Sequence, residues 1–363
     1  MNKKIMSAMI AGTLAVSIIP SVPAAGNDGE NSVTSGTEQS LGFENGRASL
    51  NLTQLARYDS GMTNADGGVM EIVDYNAVTG WAYAINGQAG VLSAIPMNTL
   101  ENTNEVKLLD GNDIDVRSLV TDETFEYGDM TSVAVSPDGS RLAAAVQAEG
   151  YNDNGRAVIF TCNADGTLTF EKAVETGVQP DMITFTPDGA HILTANEGEP
   201  RMGYVSPAVD LNGSVTIIDA AALTAEIVGF EGFEHDALAA SGVVLKKGSA
   251  PSADLEPEYI AADNDKAYIT FQEANSVAVL DIAGKNFTGV YPLGTVDYGT
   301  VKVDLNKGDK QYSPENYKDV LGLRMPDGIS TFKIGDKSYI ITANEGDSRE
   351  YRKCAVCELY QQP

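Results

Sequence analysis

Residues 181–199 read DMITFTPDGAHILTANEGE, and this stretch decides the fold. Apolar and β-branched residues run up to Pro187-Asp188-Gly189 and resume at Ile192. Proline presets φ and Asp-Gly tolerates a tight bend, so the stretch predicts two antiparallel strands joined by a hairpin. One hairpin cannot stand alone in water; its faces need partners.

Working outward, the unit recurs. Residues 71–87 (EIVDYNAVTGWAYAING) turn at Ala77–Gly80, and residues 131–147 (TSVAVSPDGSRLAAAVQ) turn at Pro137-Asp138-Gly139. Residues 257–282 turn at Asp263-Asn264-Asp265, and residues 326–347 turn at Ile334-Gly335-Asp336. SVTIID (214–219) and SVAVLDI (276–282) supply third strands. Short antiparallel sheets stacked around an axis bury each other face to face, which is the β-propeller solution. A β-sandwich explains the hairpins but not motifs that repeat in step with them. The expected fold is therefore all-β: a propeller of antiparallel blades, about five of which are present. Uneven repeat distances require insertions at about 200–212, 223–254 and 295–324, with a short helix over 234–245 ending at Gly242.

The ends read differently. Lys3 and Lys4, an apolar run from Ile5 to Ile19 and Val22-Pro23-Ala24-Ala25 predict a signal peptide over 1–25. That run is too short to span a bilayer. Residues 26–48 are Gly/Ser/Thr/Asn-rich and predict a disordered linker. The propeller domain is expected over 49–351, with Leu50–Tyr58 as a strand that closes the final blade. Residues 352–363 form an atypical tail in which Cys354 and Cys357 share a C-x-x-C spacing outside any βαβ context.

The 363 residues carry 24 Lys+Arg and 51 Asp+Glu, so the formal net charge is 24 − 51 = −27. That excludes a nucleic-acid binder, which needs clustered cations, and electrostatic docking on anionic lipid. Two histidines and three cysteines argue against a His-based zinc site and a disulfide framework. His191 reads as a packed or edge residue, and His235 as exposed. Asp304-Leu305-Asn306-Lys307-Gly308-Asp309 resembles a calcium loop but lacks the closing Glu.

Two motifs recur in step. Proline precedes an acid at Pro180-Asp181, Pro257-Glu258 and Pro326-Asp327. An amide precedes Glu at Asn196-Glu197, Gln272-Glu273 and Asn344-Glu345, after spacings of 16, 15 and 18 residues from the proline. Hairpin geometry brings both ends to one edge, where successive blades place the acids on one face. Converging carboxylates repel unless protonated or bridged by a cation. A hard ion such as Ca²⁺ fits, with Asn side chains and backbone carbonyls completing the shell. Asp181, Glu197, Glu258, Glu273, Asp327, Glu345 and Asp347 are the metal candidates. The alternative is that these acids cap turns and stitch blades together. No catalytic residue is assigned.

Residues 180–189 (PDMITFTPDG), 195–200 (ANEGEP), 255–261 (LEPEYIA) and 342–351 (TANEGDSREY) resemble the choice-of-anchor I family, over about Leu52 to Tyr351. The resemblance implies a YVTN/WD40-like β-propeller whose five blades here form part of a seven- or eight-bladed ring left incomplete, exported and secreted or held at the cell envelope, and similarity to mesenchyme-specific cell-surface glycoproteins. It suggests a monomeric binding or scaffold module for an extracellular ligand or cell-surface component, with no transmembrane segment and no nucleic-acid partner. The alternative it raises is a calcium-dependent phosphoesterase of the alkaline phosphatase or phytase kind.

Overall fold

The computed structural model describes residues 39–41 and 50–346, apart from 64–68, 102, 104, 122, 123, 151, 201–209 and 307. The expected signal peptide, the tail with Cys354 and Cys357, and Asp347 lie outside the described residues, as does nearly all of the expected linker.

Five blades follow one another along the chain. Blade 1 is built from Val73–Asn76, Trp81–Asn86, Val91–Pro96 and Asn112–Asp115. Blade 2 uses Tyr127–Val135, Arg141–Ala148, Asn154–Cys162 and Leu168–Val178. Blade 3 uses Pro180–Phe185, His191–Asn196, Ser214–Asp219 and Thr224–Val228. Blade 4 uses Ile260–Ala262, Lys266–Phe271, Ser276–Asp281 and Asn286–Pro292. Blade 5 is the hairpin Pro326–Ile334 and Lys337–Asn344. All pairings within blades are antiparallel. The first strand of each blade packs against the first strand of the next, so these inner strands lie side by side. The fold is an all-β propeller type with few helices, as the repeats require.

The core lies between blades. Tyr83, Leu92, Leu142, Val158 and Phe160 fill the seam of blades 1 and 2. Ala145, Ile159, Ile183 and Ile192 fill the next seam. Leu193, Ile217, Phe230, Ile269 and Phe271 fill the seam of blades 3 and 4. Period-two alternation on the middle strands sends one set of side chains into each neighbouring seam. Tyr83 is a core residue, as its strand position implies.

The Pro-Asp-Gly turns are held by their own aspartates. Asp188 Oδ1 accepts the Thr186 hydroxyl at 2.7 Å and the Ala190 N–H at 3.0 Å, and Asp138 does the same with Ser136 and Ser140. Asn76, fully buried, links blade 1 to the turn of blade 2. Its Nδ2 donates to the Gly139 carbonyl at 2.8 Å and its Oδ1 accepts from Val78 and Thr79 N–H. Asn76→Ala leaves these groups unmet and is expected to cost about 1–3 kcal/mol, read as a lower urea midpoint at unchanged slope.

Three expectations change. Leu50–Tyr58 is not a closing strand for the last blade. Leu50–Leu52 pairs with Gln39–Leu41, and Ala56–Tyr58 runs parallel to Lys107–Leu109 beside blade 1. There Tyr58 packs on the outer face of blade 1 and donates to Ser93 Oγ at 3.1 Å. The insertion expected from residue 223 begins later, because Thr224–Val228 is the outer strand of blade 3. Its helix, His235–Ser241, does end at Gly242. His235 is half-buried, with Nε2 3.1 Å from the Lys246 carbonyl.

Candidate metal centre

The acids sit at the blade ends opposite the Pro-Asp-Gly turns, and a β-bulge aims them. In blade 3, Pro180 pairs with Asn196 and Met182 with Ala195, so Asp181 is the extra residue. A bulge re-aims the side chain it carries. Blade 5 slips between Pro326 and Ile329, the span that holds Asp327. In blade 4, Thr270 N–H donates to the Tyr259 carbonyl while its own carbonyl accepts from Glu258 N–H, each at 3.0 Å. Two residues thus face one. Blade 2 bulges too, between Ser132 and Met130, but there the extra residue is Thr131. The Thr131 hydroxyl donates to the Pro180 carbonyl at 2.7 Å, and the Thr270 hydroxyl donates to the Asp327 carbonyl at 2.9 Å. The acid-bearing strands of blades 3 and 5 are thereby tied to the blade before them.

The second acid arrives from the neighbouring strand. Glu197 follows Asn196, and its N–H donates to the Gln179 carbonyl at 3.0 Å; Glu345 N–H meets the Met325 carbonyl at 3.2 Å in the same way. Gln179 and Met325 both precede proline and both hold positive φ, +55° and +49°. After Glu197 the chain turns at Gly198, φ +66°, where a Cβ would lie 2.7 Å from the Asn212 backbone. Only glycine fits that position.

Asp181, Glu197 and Glu258 converge, with one carboxylate oxygen from each within 4.8 Å of the others. All three are half-buried, so solvent reaches them. Burial pushes the Glu197 carboxyl well above the usual carboxylate range, and Asp181, Glu258, Glu199 and Glu256 push it further. Burial does the same to Glu258, joined by Asp181, Glu273, Asp327 and Glu256. Asp327 is raised by burial and by Glu345. Beside them the Tyr259 phenol is raised by burial and by the surrounding acids. The turn acids behave oppositely. Hydrogen bonds hold Asp138 and Asp188 below the usual range. Acids that look alike in the sequence thus fall into two classes, turn-fasteners and a mutually repelling cluster.

Among the expected ligands, the structure brings Asp181, Glu197 and Glu258 together. Glu273 and Asp327 add to the charge that raises Glu258. Glu345 is exposed beside Asp327. Asn196 is not available as a ligand. It is fully buried, its Nδ2 donates to Ser214 and Thr216 hydroxyls, and its Oδ1 accepts from Thr194. Asp304 and Asp309 of the calcium-like loop accept backbone N–H groups of Asn306, Ser313 and Gln311 and serve as turn residues. Sequence reasoning missed Glu256, 5% exposed, and Gln179, 2% exposed. Both stand before the proline of the Pro-acid motif, which was the available signal.

Such a cluster can take up protons or a hard cation that prefers oxygen ligands. Similar solved structures include the β-propeller domain of Cps50 (Swd1) from Myceliophteria thermophila, at 11% identity and a TM-score of 0.40, covering 63% of this chain and 57% of that one. A protein from Lactobacillus plantarum is similar at 12% identity and a TM-score of 0.40, covering 61% and 56%. A chain of a nidogen/laminin complex is similar at 11% identity and a TM-score of 0.38, covering 67% and 68%. The chain thus spans little more than half the length of the first two. Among curated proteins none matches. The Choice-of-anchor I domain matches residues 71–360, and the chain belongs to that family.

Proposed function

We propose that this chain is an exported propeller module of the cell surface that binds calcium through Asp181, Glu197 and Glu258 and acts as a binding or scaffold element. The observation that carries the reading is the convergence of three solvent-reachable carboxylates whose strongest neighbours are further carboxylates. A divalent cation relieves that repulsion, and Ca²⁺ accepts irregular oxygen sets where Mg²⁺ demands near-octahedral geometry. Glu273, Asp327 and Glu345 extend the negative field into blades 4 and 5, with Asp347 a further candidate. Family membership supports a secreted or surface location. Among the described residues no helix is long and apolar enough to cross a membrane.

Calorimetric titration of chelator-stripped protein with CaCl₂ near neutral pH tests the reading. A saturable heat is expected, weakened ~100-fold or more in Asp181→Asn/Glu197→Gln, by analogy with losses at metal sites. A folded sample that gives no heat, or a double variant that binds as well as the unaltered chain, overturns it.

A further inference from the structure

We infer that two copies of this chain pair face to face through blade 5, rather than remaining the monomer that the family resemblance suggests. The inference goes beyond the calcium reading and does not depend on it. Register places Phe332 opposite Tyr339, Ser330 opposite Ile341 and Ile334 opposite Lys337. Side chains alternate along a strand, so these six share one face of the hairpin. The Phe332 and Tyr339 rings stack on it, centres 5.5 Å apart and planes 16° apart. The opposite face, with Ile329, Thr331, Ile340 and Thr342, is half-buried, and the hairpin packs on the first two strands of blade 4. The stacked face is open: Phe332, Ile334, Tyr339 and Ile341 are 44%, 61%, 40% and 62% exposed. Faces of this kind are covered elsewhere. Apolar side chains from both sides fill the seams between blades 1 and 2, 2 and 3, and 3 and 4. Blade 1, at the other end of the row, has its outer face covered too, where Ala82, Ala84 and Ile95 pack with Leu109 and Tyr58.

Charge and area both name a second copy as the occupant. Residues 326–344 carry Asp327 and Asp336 against Lys333 and Lys337, and the insertion before them, 295–324, carries five acids against five Lys and Arg. Both stretches are neutral in a chain of net charge −27. Two such chains repel wherever their acids meet, and repel least across this face. A cationic partner, by contrast, gains nothing from a neutral face and settles on the acids instead. The four exposed side chains leave about 400 Å² of apolar surface open, the size of the largest patch on an ordinary monomer. Two copies laid face to face remove about twice that, and Ser330, Lys337 and the flanking backbone bring the contact toward the ~1,200 Å² at which stable interfaces begin. A weak two-fold dimer fits, in which the same patch on each copy meets itself.

Sedimentation velocity of the unaltered chain in chelator, at about 1–100 µM, tests the assignment. The expected result is a mass that climbs from one copy toward two with concentration. It climbs sooner at higher salt, because salt screens the net charge while apolar burial persists. Ile334→Glu/Ile341→Glu, at two exposed positions, is expected to raise the dimer dissociation constant about tenfold or more. Ile227→Glu, at an exposed position on the outer strand of blade 3, is expected to leave it unchanged. Circular dichroism checks the fold of each variant; if the double variant is unfolded, Ile334→Glu alone is read in the same way. A monomer at every concentration and salt means that residues 347–363 or a different protein covers the face, and overturns the second copy. A dimer that the folded face variant leaves intact, one that Ile227→Glu weakens equally, or growth past two copies overturns the pairing through blade 5.

Discussion

In the presence of chelator, Glu258→Gln is expected to melt at a higher temperature than the unaltered chain, and in excess calcium this order reverses. The reason is electrostatic. Glu258 is raised by burial and by Asp181, Glu273, Asp327 and Glu256, so its charge opposes folding when no cation is present. Removing that charge relieves roughly 1–3 kcal/mol, and each kcal/mol moves the midpoint by about 2–4 °C in a domain of this size. Calcium at 100 times its dissociation constant stabilises the unaltered chain by about 2.7 kcal/mol, which the variant forgoes. The same physics fixes a pH dependence. A carboxyl raised in the folded state binds more protons there than when unfolded. Its contribution to stability is therefore full below the raised value's window and falls as pH rises from the ordinary carboxylate range through the raised one. In chelator, melting points should thus fall from mildly acidic to mildly alkaline pH, and calcium should flatten the trend. The lowered turn acids Asp138 and Asp188 act with opposite sign and in a more acidic window. Differential scanning fluorimetry across pH, with chelator and with calcium, reads both effects. A Glu258→Gln midpoint below that of the unaltered chain in chelator would falsify the repulsion account.

The largest stability loss is expected from Phe271→Ala. Phe271 is fully buried between blades 3 and 4 and meets Phe230 edge to face, ring centres 5.3 Å apart. Truncating a fully buried phenylalanine costs about 3–5 kcal/mol, since the transfer free energy is lost and a cavity remains. The aromatic contact adds about 0.5–1.5 kcal/mol of that. Phe271 also ends the strand that leads into Gln272-Glu273, and blades 3 and 4 are those that contribute the carboxylates. Calcium affinity should therefore fall with stability, although Phe271 has no polar atom to offer a cation. Urea denaturation followed by far-ultraviolet dichroism measures the first effect and calorimetry the second. A loss below 1 kcal/mol would mean that the seam repacks.

Much of this was legible in the sequence because it is local. Pro187-Asp188-Gly189 carries its turn in three adjacent residues, and Pro-acid and amide-Glu pairs recur at fixed offsets from the turns. The strand Thr224–Val228 escaped for a physical reason. It is the outer strand of blade 3, exposed at every position but the last, and so shows no buried alternation. The parallel pairing of Ala56–Tyr58 with Lys107–Leu109 joins segments about fifty residues apart and leaves no local trace. Asn196 looked like a ligand because Asn-Glu-Gly suits one. Only the cross-strand positions of Ser214 and Thr216 reveal that its amide is already committed. The bulge at Asp181 is likewise a relation between two strands, visible once register is known.

The three converging acids do not belong to one blade. Asp181 and Glu197 ride on blade 3, while Glu258 rides on the chain entering blade 4. Whatever sits among them spans the seam that Phe230 and Phe271 fill from the apolar side. Bare, the carboxylates push the two blades apart like a loaded spring; bridged, they resist being pulled apart. With a cation bridging them as proposed, the joint between the two sheets would take a stiffness set by the ionic composition of the surrounding medium. On that reading, the contact between blades 3 and 4, rather than either sheet, would carry the mechanical response, and the medium would set how firmly it holds.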